Sequence, residues 1–309
     1  MPIVELIMIV VGLTLFEVIS SIDNAVVNAD VLATMSAKWR KIFIDVGIIF
    51  AVFVVRGFLP LVIIWLSSPG LTIFQAFTAT FSGDPHVIEI IERQTPILLA
   101  GGGIFLVFLF LHWLFVEDKK YAFFFERLIH HHLNFWFYAL ASILLLGTVW
   151  ATIGYNPLIA LGAVVGSTAF FIVHGFKTQA EEQEKKLVKG NMSNFSKFMY
   201  LEVIDTTFSI DGVLGAFAFT TAVPLILVGN GLGAFVVRWL TVRGIDTVKK
   251  YAFLKNGAMY SIGVLGTIMM LESLGSHVPS WASPVTTFIV VGVFFYLSKK
   301  ELQYTGKSL

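Results

Sequence analysis

Long apolar runs separated by short polar connections dominate the chain, and they are too long for strands and too evenly apolar for the one-sided helices of a soluble core. Several reach the ~20 residues a helix needs to cross about 30 Å of hydrocarbon. The pattern predicts nine membrane-crossing helices, at residues 3–34, 42–66, 97–116, 134–153, 158–176, 198–220, 225–243, 253–271 and 284–298. The first is long enough to be tilted or broken. After the second, SGDPHVIEIIERQTP at 82–96 predicts an amphipathic helix on the membrane surface. The expected fold class is therefore an all-α polytopic membrane protein. Its expected division is an N-terminal membrane repeat region with connecting helices (1–176), a charged cytoplasmic linker (177–197) and a C-terminal membrane repeat region (198–309). Within the linker, KTQAEEQEKKLVKG at 177–190 reads as a mobile connector.

Basic residues give an independent check on the count, because Lys and Arg collect in short cytoplasmic loops. With nine crossings and the N-terminus outside, every Lys and Arg falls on the cytoplasmic side except Arg93 in an outer connection and Arg56 and Arg238 within spans. The expected C-terminus is cytoplasmic. This places the chain as a multi-pass protein of the inner or cytoplasmic membrane, with lipid as its surroundings. Recurrent apolar runs also make the first a retained segment and not a signal peptide.

Composition narrows the chemistry. Only 13% of residues are charged, the net charge is +1 and there is no Cys. Thiolate metal sites and disulfides are excluded, and no basic footprint for nucleic acid is present. Without a GxxxxGK[ST] phosphate loop, any energy for transport must come from a gradient or the membrane potential.

Against this background, acids inside the apolar runs need a reason. LTLFEVISSIDNAVVNADVLATM at 13–35 carries Glu17, Asp23 and Asp30, and LEVIDTTFSIDGVLGAF at 201–217 carries Glu202, Asp205 and Asp211. The two stretches align: SSIDNAVV at 20–27 matches FSIDGVLG at 208–215, with Asp23 on Asp211, Ser21 on Ser209 and, six residues upstream, Glu17 on Asp205. Each is followed in its next span by an arginine, in FVVRG at 53–57 and FVVRW at 235–239. Spans one and six start on opposite sides, so the copies form an inverted repeat, a construction that puts transporter sites near the midplane. A charge at the bilayer centre costs roughly 2.5–3.5 kcal/mol, so the acids must face protein, water or an ion.

Carboxylates, amide oxygens and backbone carbonyls suit a hard or intermediate divalent cation such as Mn2+, Mg2+ or Ca2+. The expected metal ligands are Glu17, Asp23, Asn24, Asp205 and Asp211; Asp30 and Glu202 are weaker because their counterparts, Ala218 and Thr14, cannot coordinate in the same way. Six residues turn an ideal helix by about 600°, so Glu17 and Asp23 meet only around a break near Ser20 and Ser21; a bend at Gly212 would do the same for Asp205 and Asp211. Arg56 and Arg238 are expected to hold the carboxylates when no ion is bound, or to lock the helices together. HHHLN at 130–134 reads as a solvated loop and His112 as interfacial packing, while Glu272 is a candidate for lining an exit path.

FEVISSIDNAVV at 16–27 and IDTTFSIDGVLG at 204–215, set in this pattern of spans, resemble the TerC group of tellurium-resistance membrane proteins and especially their DUF475 relatives. The resemblance covers most of the chain and implies a divalent-cation transporter, with Mn2+ export foremost, in which the first motif offers Glu17, Asp23 and Asn24 and the second Asp205 and Asp211. Gly212 stands where the first motif has Asn24. The expectation is thus a transporter, not an enzyme, with no resident cofactor and a transported cation as ligand. The alternatives are a proton-coupled transporter of another small solute and a membrane assembly or stress-response protein whose oligomeric partner the sequence does not name. An intramembrane aspartyl protease is disfavoured because GxGD is missing, Gly83 and Asp84 lying in SGDP.

Overall fold

The computed structural model describes residues 2–68, 70–75, 85–117, 126, 134–189, 193–243 and 250–304; the side chains of Asp23, Val27, Val87, Ile88, Asn134, residues 180–189, Phe208, Arg243 and Tyr304 lie outside that description. All regular structure among the described residues is helical. The elements are α1 (Ile3–Ser20), α2 (Ile22–Ala33), α3 (Ala37–Ile49), a π-helical segment (Phe50–Phe58), α4 (Leu59–Ser67), α5 (Pro85–Phe115), α6 (Asn134–Ile153), α7 (Pro157–Lys189), α8 (Asn194–Ala216), α9 (Val223–Arg243), α10 (Leu254–Ser273) and α11 (Ala282–Tyr304).

Seven helical stretches are long and apolar enough to cross a membrane: Ile3–Ser20, Ala37–Ser67, Glu89–Phe115, Phe135–Ile153, Pro157–Gln179, Val223–Val242 and Ala282–Gln303. The chain is an all-helical polytopic membrane protein. Helices α8 and α10 fall outside this set. Both correspond to predicted spans; their polar side chains dilute the hydropathy, and those same side chains build the sites described below.

One local expectation holds and three change. The first predicted span does break, at Ser21 (φ −93°, ψ 4°), between α1 and α2. No comparable break occurs at Gly212, where α8 runs on to Ala216. The predicted surface helix at 82–96 is, from Pro85 on, the first part of α5, which continues through Pro96 into the apolar span, while residues 82–84 lie outside the described residues. Proline at that position removes one backbone donor but leaves the chain helical. The predicted connector likewise continues α7 as helix to Lys189, in keeping with the strong helix propensity of its Ala, Glu, Gln and Lys residues.

Packing is organised around α5, which lies between α7 and α10. The main core gathers Phe105, Phe108, Trp113, Phe137, Phe170 and Met269 with Leu13 and Phe16 of α1. Glycines allow the closest approach: a Cβ at Gly101 would stand 2.9 Å from the carbonyl oxygen of Gly162, so α5 and α7 touch through backbone. Helix α10 ends in a Schellman arrangement at Gly275 (φ +91°), whose N–H donates to Glu272 O while Ser276 N donates to Leu271 O.

The two acid-bearing helices cross over. Helix α1 packs along α9, the arginine helix of the other copy, and α8 packs against the π-helical segment that carries Arg56. The N-terminus of α8 is fixed to the α2–α3 turn by Asn194 Oδ1, accepting from Ser36 N at 3.0 Å, and by Lys197 Nζ, donating to Thr34 Oγ1 at 2.8 Å. Its own first turn is capped by Ser193, which accepts from Ser196 N.

Candidate ion site

Glu17 is wholly buried near the end of α1, one turn before the break. Its Oε1 accepts from Arg56 Nε at 3.0 Å, from Arg56 Nη2 and from Ser21 Oγ at 3.0 Å. Arg56 sits in the last turn of a segment that winds as a π-helix from Phe50 to Phe58, a local change of register often found at functional positions. Arg56 Nη1 meanwhile donates to Ala51 O, five residues back, at 3.1 Å.

Asp205 is the shared member of the cluster. Its Oδ2 lies 3.2 Å from Arg238 Nη2 and 4.0 Å from Arg56 Nη1, while its Oδ1 accepts from Asn24 Nδ2 at 2.7 Å. Arg238 also meets Glu202 Oε1 at 3.3 Å, donates to the carbonyl oxygen of Phe43 and stacks over the Phe43 ring at 4.1 Å. Gly47 permits this approach, because a Cβ there would collide with Glu202 and Arg238. Gly212 does the same on α8, where a Cβ would stand 2.5 Å from Glu17 Oε2. That is a physical reason for glycine at the position where the other copy has Asn24.

The sum of charges is uneven. Three buried carboxylates, Glu17, Glu202 and Asp205, face two buried guanidiniums, Arg56 and Arg238. Several acceptors also have no hydrogen-bond partner among the described residues: Glu17 Oε2, Asn24 Oδ1 and Asn28 Oδ1. Unpaired buried acceptors each cost about 1–3 kcal/mol, so they are rarely left without a reason.

Asp211 does not join this cluster. It pairs instead with Lys177 of α7, and its Oδ1 has no hydrogen-bond partner among the described residues. The pair sits in a cavity of about 570 Å³ lined also by Ser20, His112, Glu117, His174 and Lys255. There the imidazoles of His112 and His174 lie 3.9 Å apart between ring centroids. Glu117 closes one edge through Lys255, with Nζ to Oε2 at 2.9 Å. Burial pushes the Glu117 carboxyl up, but the Lys255 ammonium and the hydrogen bond it donates, together with His112 and Lys177, hold it below the ordinary carboxylate value. Beside it, buried Glu126 accepts from Asn256 Nδ2 at 2.9 and 2.8 Å.

A second cavity, about 440 Å³, is lined by Thr95, Leu99, Thr220, Thr221, Glu272, His277 and Ser280. The two cavities lie at opposite ends of the antiparallel α5–α10 pair: Val116 and Lys255 mark the first, Thr95 and Glu272 the second. Those marks on α5 are about 30 Å apart at 1.5 Å per residue.

The expected ligand set is thus divided. Glu17, Asn24 and Asp205 come together; Asp211 stands at the cavity; the side chain of Asp23 lies outside the described residues. Asp30 is exposed. Glu202, expected to be weaker because Thr14 is its counterpart, is a full member of the cluster, and its pairing with Arg238 on another helix is not visible in a repeat alignment. His112 is buried among aromatic side chains, and Glu272 lines the second cavity. The histidines at 130–132 lie outside the described residues. Among the described residues no three His, Asp or Glu side chains stand together as a ready-made metal ligand set.

Fold and site together define a polytopic helical membrane protein with a buried network of ion pairs in which carboxylates outnumber guanidiniums. The model of the family described as a protein of unknown function, DUF475, matches residues 22–302, and the chain belongs to that family. It is also similar to the uncharacterized membrane protein YceF of Bacillus subtilis, at 24% identity over 143 residues, which are 43% of this chain and 56% of that protein. The match therefore spans little more than half the length of that relative. No solved structure matches the chain.

Proposed function

We propose that the protein exports a divalent cation, Mn2+ foremost, across the cytoplasmic membrane by alternating access. The observation that carries this reading is the cluster of three buried carboxylates against two guanidiniums, in which Glu17 and Asn24 each keep an acceptor without a partner among the described residues. A dehydrated cation would supply the missing positive charge and occupy those acceptors, and the donor set of carboxylate and amide oxygens suits Mn2+. Arg56 and Arg238 then act as resident counter-ions of the empty state, exchanged for cargo during the cycle.

In this reading all nine predicted helices cross, with the N-terminus outside and the C-terminus in the cytoplasm. Support comes from α10, which runs antiparallel along α5 from the Glu117–Lys255 pair to the second cavity and so covers the same depth as an accepted span. The crossed packing of α1 on α9 and α8 on the π-helical segment is what an inverted repeat related by a two-fold axis in the membrane plane would produce. The resemblance to the TerC group points the same way.

Purified protein in proteoliposomes should move Mn2+ down an imposed gradient. Glu17→Gln and Asp205→Asn, and likewise Asp23→Asn and Asp211→Asn, should abolish that flux while far-ultraviolet circular dichroism stays that of the parent. A parent protein that moves no Mn2+, or variants that all retain full flux, would refute the proposal.

A further inference from the structure

The histidines of the first cavity have no part in the central network. His112 lies on α5 and His174 on α7, far apart in sequence, yet their rings are in contact. Aromatic neighbours fix both: Phe137 meets His112 edge-on at 5.2 Å, and Phe170 stacks on His174 at 5.7 Å with planes 8° apart. His112 is 7% exposed, and its Nδ1 has no hydrogen-bond partner among the described residues. Asp211, 8% exposed, has its Oδ1 in the same condition. A buried imidazole nitrogen and a buried carboxylate oxygen, both without a partner among the described residues and both lining one cavity, are groups that a ligand would satisfy.

The charges identify the ligand. Glu117, Lys177 and Asp211 line the same cavity as His174, and Lys177 Nζ already sits on Asp211 Oδ2. An ammonium group in that place occupies the position of a cation, on a flexible stem that can withdraw. Two imidazoles with one carboxylate form a nitrogen-rich set that favours first-row transition cations, whereas Mg2+ and Ca2+ favour oxygen throughout.

We propose that His112, His174 and Asp211 form a docking site for a first-row divalent cation at this cavity, vacated when Lys177 leaves Asp211. This explains why three ligands do not yet converge: the third is held by Lys177. The site would sort Mn2+ from the far more abundant Mg2+ before the all-oxygen cluster of Glu17 and Asp205, which has less means to do so. The inference rests on the transport reading for its cargo, and binding can be measured apart from flux.

The test uses the full chain in detergent, titrated with MnCl2 with and without excess MgCl2, with free Mn2+ read by electron paramagnetic resonance. Spin-echo spectra of the bound ion should show imidazole nitrogen coupling that excess Mg2+ does not remove. His112→Ala and His174→Ala should each reduce that coupling and weaken binding about tenfold or more, since even outer partners of metal ligands are worth about 10- to 100-fold. Lys177→Gln should change affinity in the opposite direction, tightening binding, which guards against misreading a folding defect in the histidine variants. Bound Mn2+ without nitrogen coupling, or affinities unchanged in all three variants, would overturn the site. Absence of Mn2+ binding by the parent would overturn it as well. Nitrogen-coupled binding in a protein that passes no Mn2+ in proteoliposomes would uphold the site and reject the transport reading; flux without nitrogen coupling would do the reverse.

Discussion

Glu17 and Arg56 show what a single contact must do when water is absent. Both are essentially inaccessible, and the pair is held by two donors of one guanidinium on one carboxylate oxygen. Breaking a buried pair by removing one partner typically costs about 3–5 kcal/mol, because the survivor keeps its charge with nothing to offset it. Arg56→Gln should therefore lower the thermal unfolding midpoint of the detergent-solubilised protein sharply. Adding Glu17→Gln should recover most of the loss, because two amides can hydrogen-bond without a buried charge. Strict additivity of the two single effects would show that they do not act as a pair. Glu202 makes a related point from the sequence side. Repeat logic undervalued it because it compared positions along the chain, whereas its partner Arg238 and the Gly47 that makes room for both come from other helices.

At the scale of elements, the positions of helices were largely legible. Apolar runs at 134–153 and 225–243 correspond to α6 and α9 nearly residue for residue, because hydropathy reports the lipid requirement directly. The break near Ser20 and Ser21 was legible as one of two ways to place Glu17 and Asp23, the other being an unbroken helix that turns them to different sides of a pocket. Hydropathy was silent on how α5 and α7 extend beyond the apolar region, because a polar helix and a polar loop have similar composition. It was equally silent on the π-helical winding of Phe50–Phe58, which depends on tertiary contacts. That winding carries a prediction. Deleting Val54 would remove one residue from the segment and change the rotational register of everything after it. Arg56 should then leave Glu17, and Mn2+ flux should fall to background while helix content is kept. An active deletion variant would mean that the segment's register is not what positions the arginine.

For the whole molecule, the open matter between seven and nine crossings comes down to α8 and α10. If α8 crosses, Thr220 faces the outside; if it does not, Thr220 shares the cytoplasm with the start of α8. The chain has no Cys, so single introduced cysteines report cleanly. Thr220→Cys should react with a membrane-impermeant maleimide from outside intact cells, as should Gln75→Cys, while Ser193→Cys should react only after permeabilisation. Labelling of Thr220→Cys together with Ser193→Cys would exclude the nine-crossing arrangement. The site was less legible than the fold for a related reason. The sequence displayed the acids and their repetition, but which acids converge depends on rotation about each helix, and a bend assumed at Gly212 would have merged two clusters that the straight α8 keeps on separate faces.

The division of charge between the two halves bears on how the protein is made. Among the described side chains of the two sites, partners cross between the halves in both directions: Arg56 and Lys177 of the first half meet Asp205 and Asp211 of the second, while Lys255 and Asn256 of the second meet Glu117 and Glu126 of the first. Each half alone holds acids whose partners lie on the other, so the pairing is completed only once the later helices have inserted beside those already in the bilayer.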